Sequence, residues 1–184
     1  MENHVEYVRK KIIKYIYLLR RLRPYINQNT AIYFYKSILQ SHFDYCSSVW
    51  TNAYKTYLGK LQTLQNRALR TVLNVDHLFA SNDLYKLLKL DRLDERWSKQ
   101  LACTMYRSIH KSCPTYLSNL FSVQQSKHNT RSGPRKLKLT QPKTNYGKRT
   151  LAYRGSKLWN SLNTSAQSVV SIKAFKRYLQ QNPI

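Results

Sequence analysis

From Leu58 to Leu73 the chain reads LGKLQTLQNRALRTVL, and the spacing of its apolar residues admits one local structure. Leu58, Leu61, Gln65, Ala68, Leu69 and Val72 recur at steps of three and four, so on a helix they share one face, and Lys60, Thr63, Arg67 and Arg70 share the other. One face needs a core and the other suits anions. Upstream, YFYKSILQSHFDYCSSVW groups Ile38, Leu39, His42, Phe43 and Cys46 with Phe34, Tyr35 and Trp50, an apolar face too wide for a surface helix. With a short break near Tyr54, the stretch from Tyr33 to Leu73 is expected to form a helical hairpin whose first helix is the most buried in the molecule.

The remaining elements are arranged around that hairpin. A helix from about Val5 to Arg23 carries Val5, Val8, Ile12, Ile16, Leu19 and Leu22 on one stripe and Lys10, Lys14, Tyr17 and Arg21 opposite, and Pro24 ends it. Glu2 and Glu6 argue against a targeting presequence, which is poor in acids. Asn29 or Thr30 is the expected N-cap of the hairpin. Ser81 and Asp83 open a short helix through Leu88. Asp91 or Asp94 opens a longer one to about Ser112, with Leu93, Trp97, Leu101, Met105 and Ile109 four apart. Pro114 to Phe121 reads as a short turn of helix. From Gln124 to Leu158 the chain holds ten bases with Gly or Pro at five positions, a long irregular segment in which KLKLT alternates like a strand without an obvious partner. A tryptophan-anchored turn at Lys157 to Leu162 follows, then a helix capped by Ser171 whose Ile172, Phe175, Tyr178 and Leu179 dock back on the bundle. With only four Gly and five Pro for turns, the expected class is all-α. A small helical bundle is expected over residues 1–121, and a basic irregular segment with a C-terminal helix over 122–184.

Charge points to the partner. The chain of 184 residues carries 32 Lys and Arg against 8 Asp and Glu, a net +24. All eight acids lie in the first 95 residues with 15 of the bases, and residues 96–184 hold 17 bases and no acid. A polyanion relieves the self-repulsion of such a chain. Three cysteines, an odd number, indicate a reducing compartment, nuclear or cytoplasmic, where nucleic acid is the commonest polyanion. A membrane-surface or merely solvated basic protein is the plainer alternative. The longest apolar run near the N-terminus, Tyr15 to Leu19, is too short to span a bilayer, which takes ~20 residues.

Catalytic patterns are poor. Asp91, Asp94 and Glu95 cluster at a helix start, where capping accounts for them. His42 and Cys46 stand one turn apart without a second pair, and Cys103, His110 and Cys113 lack the paired spacing of a zinc site. No catalytic residue, metal site or cofactor is expected. The candidate phosphate contacts are Lys60, Arg67 and Arg70 on the hairpin, and Arg131, Arg135, Lys136, Lys138, Lys143, Lys148, Arg149 and Arg154 beyond it. Tyr146, Tyr153 and Trp159 lie among those bases as candidates for base stacking, and Trp159 has the alternative role of anchoring the C-terminal turn.

Five runs together carry a resemblance: SILQSHFDYCSSVW (Ser37 to Trp50), LGKLQTLQNRALRTVL, PTYLSNLF, the TRS at Thr130 to Ser132, and YGKRTLAYRGSKLWNSL (Tyr146 to Leu162). In words, order and spacing they resemble the region after the palm, the thumb and following linker, of non-LTR (LINE-type, jockey-like) retrotransposon reverse transcriptases. The likeness covers His4 to about Leu179. It implies a part of an RNA-directed DNA polymerase of a transposable element. The family's catalytic Tyr-x-Asp-Asp box, its other palm aspartate and its endonuclease would lie upstream of Met1, so no catalytic residue carries over, and magnesium would belong to that palm. The Cys-rich zinc knuckle of many relatives is missing. The expectation is a non-catalytic thumb and linker fragment that binds the backbone of template RNA or a primer–template duplex, with the remainder of the reverse transcriptase as a further partner. Two other classes stand beside it, a stand-alone basic RNA- or DNA-binding helical protein and a helical adaptor for acidic protein partners.

Overall fold

A computed structural model describes residues 2–123 and 136–182. The fold is all-α, as the periodicities require. Two compact units divide between Arg96 and Trp97. The shift in composition near residue 121 therefore falls inside the second unit, because the far half of a helix expected in the first supplies the second unit's core.

In the first unit, α1 (Glu2–Leu22) buries Val5, Val8, Ile12, Ile16 and Leu19, five of the six stripe residues. Pro24 sits in a 3-10 turn, Arg23–Tyr25, whose first positions need no amide hydrogen. The next helix starts one cap earlier than expected: the Asn27 side chain accepts from the Thr30 amide at 2.8 Å. It runs through α2 (Gln28–Phe34), a π turn (Tyr35–Leu39) and α3 (Gln40–Asp44). Ala31, Tyr35, Leu39 and Phe43 are buried four residues apart. Four-residue steps drift by about 40° each on an ideal helix, and the wider π turn returns the stripe to one side.

Two expectations change at the end of this helix. Tyr45 leaves the helical region and Cys46 takes a left-handed φ of 49°, so Ser47–Trp50 is a separate turn, α4. Cys46 is consequently exposed, off the apolar face assigned to it. Trp50 folds back, its Nε1 donating to the Tyr45 carbonyl at 2.6 Å. Nor is this helix the most buried: more of α5 (Lys55–Leu73) lies inside, with Leu61, Leu64, Gln65, Ala68, Leu69 and Val72 all buried. Leu58, in its first turn, is half-buried.

Helices α1 and α5 run side by side in the same direction. The Glu2 carboxylate raises the Tyr57 hydroxyl's pKa near their starts, and Arg23 Nε donates to the Val72 carbonyl at 3.0 Å near their ends. Buried Gln65 ties α5 to its neighbours. Its Nε2 donates to the Tyr35 hydroxyl and to the Asp91 carbonyl, both at 3.1 Å, and its Oε1 accepts from Tyr85 of α6 (Ser81–Leu88) at 3.0 Å. A buried amide so bonded loses little on leaving water. Arg96 closes the unit with two bonds to Asp44, at 2.7 and 2.5 Å.

The second unit begins within α7 (Leu93–Ile109). Ala102, Met105 and Tyr106 form a core with Leu137, Trp159, Ala166, Phe175 and Leu179. After the short α8 (Thr115–Ser118), Val123 and Leu137 make one antiparallel bridge, and the Asn160 side chain brackets Leu137 with two bonds of 2.9 Å. KLKLT thus has a partner but builds no sheet among the described residues. The irregular stretch also ends sooner than expected. Capped by Thr150, α9 (Leu151–Ser161) includes the residues assigned to the tryptophan turn. Gly155 reads as a breaker but is a point of contact: a Cβ there would collide with the Met105 sulfur. Next comes α10 (Thr164–Gln167), and α11 (Ile172–Gln181) is capped by Ser171 as expected, with Phe175 and Leu179 buried. No described helix is long and apolar enough to cross a membrane.

Candidate nucleic-acid interface

Arginines three apart close both long helices of the first unit. Arg20 and Arg23 stand at the end of α1, Arg67 and Arg70 at the end of α5. Residues three apart share a helix face, and the parallel packing of α1 and α5 turns the two pairs into one concave site. The four guanidinium groups line a cleft of about 490 Å³ together with Thr63, Thr71, Asn74 and His77, whose ring pairs with the Asp76 carboxylate; among the described residues no carboxylate is itself part of the lining.

The arginines divide by role. Arg23 is half-buried and donates to the Val72 and Ile26 carbonyls at 3.0 and 2.9 Å. Arg70 is half-buried too, donating to the Phe79 carbonyl at 3.2 and 2.9 Å and to Ser81 Oγ at 3.0 Å. Carbonyl partners fix a guanidinium in place and leave its charge uncompensated. Cations at helix ends also complement the helix dipole, a structural use that these bonds display. Arg20 and Arg67 differ. Both are exposed, and among the described residues neither side chain has a hydrogen-bond or ion-pair partner. Two held charges and two exposed ones facing a common hollow are suited to a phosphate, which guanidinium forks bind with two bonds each.

Lys60 is exposed on the same face of α5 as Arg67, about 10 Å nearer the start of the helix. Its Nζ lies 5.1 Å from the centre of the Tyr57 ring. The carboxyl of Glu6 is close enough to be held below its usual range, chiefly by its bond to Arg9 and more weakly by Lys60.

The second unit places its candidates unevenly. Lys138, Lys143 and Lys148 are exposed, and Lys136 and Arg149 are half-buried. Tyr146 is 77% exposed, with the Arg149 guanidinium 5.7 Å from its ring centre, an open aromatic face beside a cation. Arg154 is half-buried too, and desolvation lowers its pKa. Tyr153 is half-buried in the first turn of α9. Trp159 is wholly buried, its ring 6.0 Å from that of Phe175, which leaves no face for a base and makes it the anchor of the unit. Arg131, Arg135 and the Thr130 to Ser132 run lie outside the described residues.

The weaker constellations do not assemble. His42 stacks on Tyr15 at 5.2 Å while Cys46 lies exposed. His110 stacks on Tyr106 at 4.2 Å, and the Cys113 sulfur sits among Ser108, Ser118 and the Pro114 carbonyl. Among the described residues no three His, Cys, Asp or Glu side chains come together as metal ligands do. Periodicity alone missed Arg20, Arg23 and His77. The recurring pair of arginines three apart was the signal, but its meaning depends on α1 and α5 lying parallel. No family model, curated protein or solved structure matches the chain.

Proposed function

We propose that this chain is a non-catalytic nucleic-acid-binding module, the thumb and following linker of a non-LTR retrotransposon reverse transcriptase, working in the nucleus or cytoplasm. The cleft of four arginines carries the reading. Arg23 and Arg70, held by carbonyls, present fixed charge, and Arg20 and Arg67 close on a phosphate of template RNA or of a primer–template duplex. Lys60 in the first unit, and separately Lys138, Lys143, Lys148 and Arg149 in the second, offer further contacts to backbone phosphates. Such contacts position a strand without reading its bases. The chain supplies no polymerase chemistry of its own. Copying, and the magnesium it uses, belong to a palm with which this module works, so Mg²⁺ or Mn²⁺ should elicit no template-dependent primer extension from it.

Arg20→Gln/Arg67→Gln tests the cleft. Each lost phosphate contact flattens the plot of log K against log salt by about 0.9 on duplex DNA, so the double variant should reduce the slope by about 2. Helix content should stay at the parent's value, since neither side chain holds the fold. An unchanged slope and affinity would remove the cleft from the interface.

A further inference from the structure

The solvent face of α1 has a composition that its structural role does not require. At 100° per residue, Tyr7, Lys10, Lys11, Lys14, Tyr17, Leu18 and Arg21 fall within an arc of about 120°, opposite the buried stripe. Tyr7 and Tyr17 are 54% and 61% exposed. Surface tyrosines in a single helical row, interleaved with four cations, are not explained by packing. Of the acids of α1, Glu6 borders this face beside Lys10, and Glu2 stands off it. Glu6 is bonded to Arg9 at 2.7 Å, and Glu2 lies against Tyr57. Each tyrosine also has a cation one turn on, Lys11 Nζ at 4.7 Å from the Tyr7 ring centre and the Arg21 guanidinium carbon at 5.9 Å from that of Tyr17.

We infer that this face is a docking strip for single-stranded nucleic acid, with unpaired bases stacking on Tyr7 and Tyr17 and phosphates meeting Lys10, Lys14 and Arg21. The inference rests on the reading of the chain as a nucleic-acid binder and adds a second site, distinct from the arginine cleft. Charge selects an anion, and the aromatic rings select one with exposed π faces, which a duplex withholds and a single strand offers. The two rings stand ten residues apart, about 15 Å along the axis, several times the 3.4 Å rise of stacked bases. They therefore suit a strand whose bases are splayed. A membrane is a poorer fit, because the apolar stripe of α1 is already spent on the core.

Fluorescence anisotropy with an oligothymidylate, a duplex of equal length and polyglutamate tests the strip on the full chain, comparing the parent with Tyr7→Ala/Tyr17→Ala and Tyr7→Phe/Tyr17→Phe. The alanine variant should bind the single strand about tenfold or more weakly, with its salt slope and duplex affinity unchanged. The phenylalanine variant, which keeps both π faces, should bind like the parent. Equal losses on duplex and single strand, or no loss on either, would overturn the strip and leave the cleft intact. So would polyglutamate binding as tightly as the oligonucleotide and weakening with the same variant, which would mark an acidic protein partner. A parent chain that binds neither nucleic acid would overturn the functional reading itself.

Discussion

Trp159 illustrates how one residue type fits two accounts until its surroundings are known. In sequence it lies among Arg149, Arg154 and Lys157, where an aromatic ring invites a base. In the fold it is wholly buried with Phe175, Met105 and Leu179. Trp159→Ala should therefore cost about 3 to 5 kcal/mol in chemical denaturation, the range for emptying a large aromatic site. At temperatures where the variant is folded, its affinity for single strands should match the parent's. Weaker binding at unchanged stability would return Trp159 to the interface. Tyr146 meets the opposite fate, because it combines the same kind of neighbours with an open ring.

At the scale of the element, apolar spacing was enough to locate α1, α5, α7 and α11, since each buries one stripe along its length. It was not enough for the helix from Gln28 to Asp44, where a π turn and a left-handed Cys46 redirect the stripe. Nor was it enough for α9, whose glycine reads as a break in sequence and serves close packing in space. The arginine cleft lay beyond the sequence for a related reason. Its residues come from helices more than forty positions apart, and only their parallel packing joins them. The hairpin reading yields its own test: Leu61→Ala and Phe43→Ala should each lose about 2 to 5 kcal/mol, while Arg67→Ala, at an exposed position, should lose far less. Should urea midpoints rank Arg67→Ala as the most damaging of the three, the facing of α5 described above would be wrong.

For the whole molecule, the acids and bases are sorted by position. The carboxylates of the first unit are largely engaged, Asp44 with Arg96, Glu6 with Arg9, Asp83 with Lys86 and Asp94 with Arg92. The exposed pairs among these, Asp83 with Lys86 and Asp94 with Arg92, add little stability, but all four neutralise charge locally and leave the cleft and the outer face of α1 positive. Residues 97–184 have no acid with which to do the same. A chain so divided is expected to grip phosphates at many points and to be indifferent to base sequence. The most direct measurement is the salt dependence of duplex binding by the intact chain, on two unrelated sequences. With six to ten phosphates neutralised, log K against log salt should fall with a slope of roughly −5 to −9, the same on both duplexes. A slope near zero, or tight binding confined to one sequence, would contradict backbone recognition.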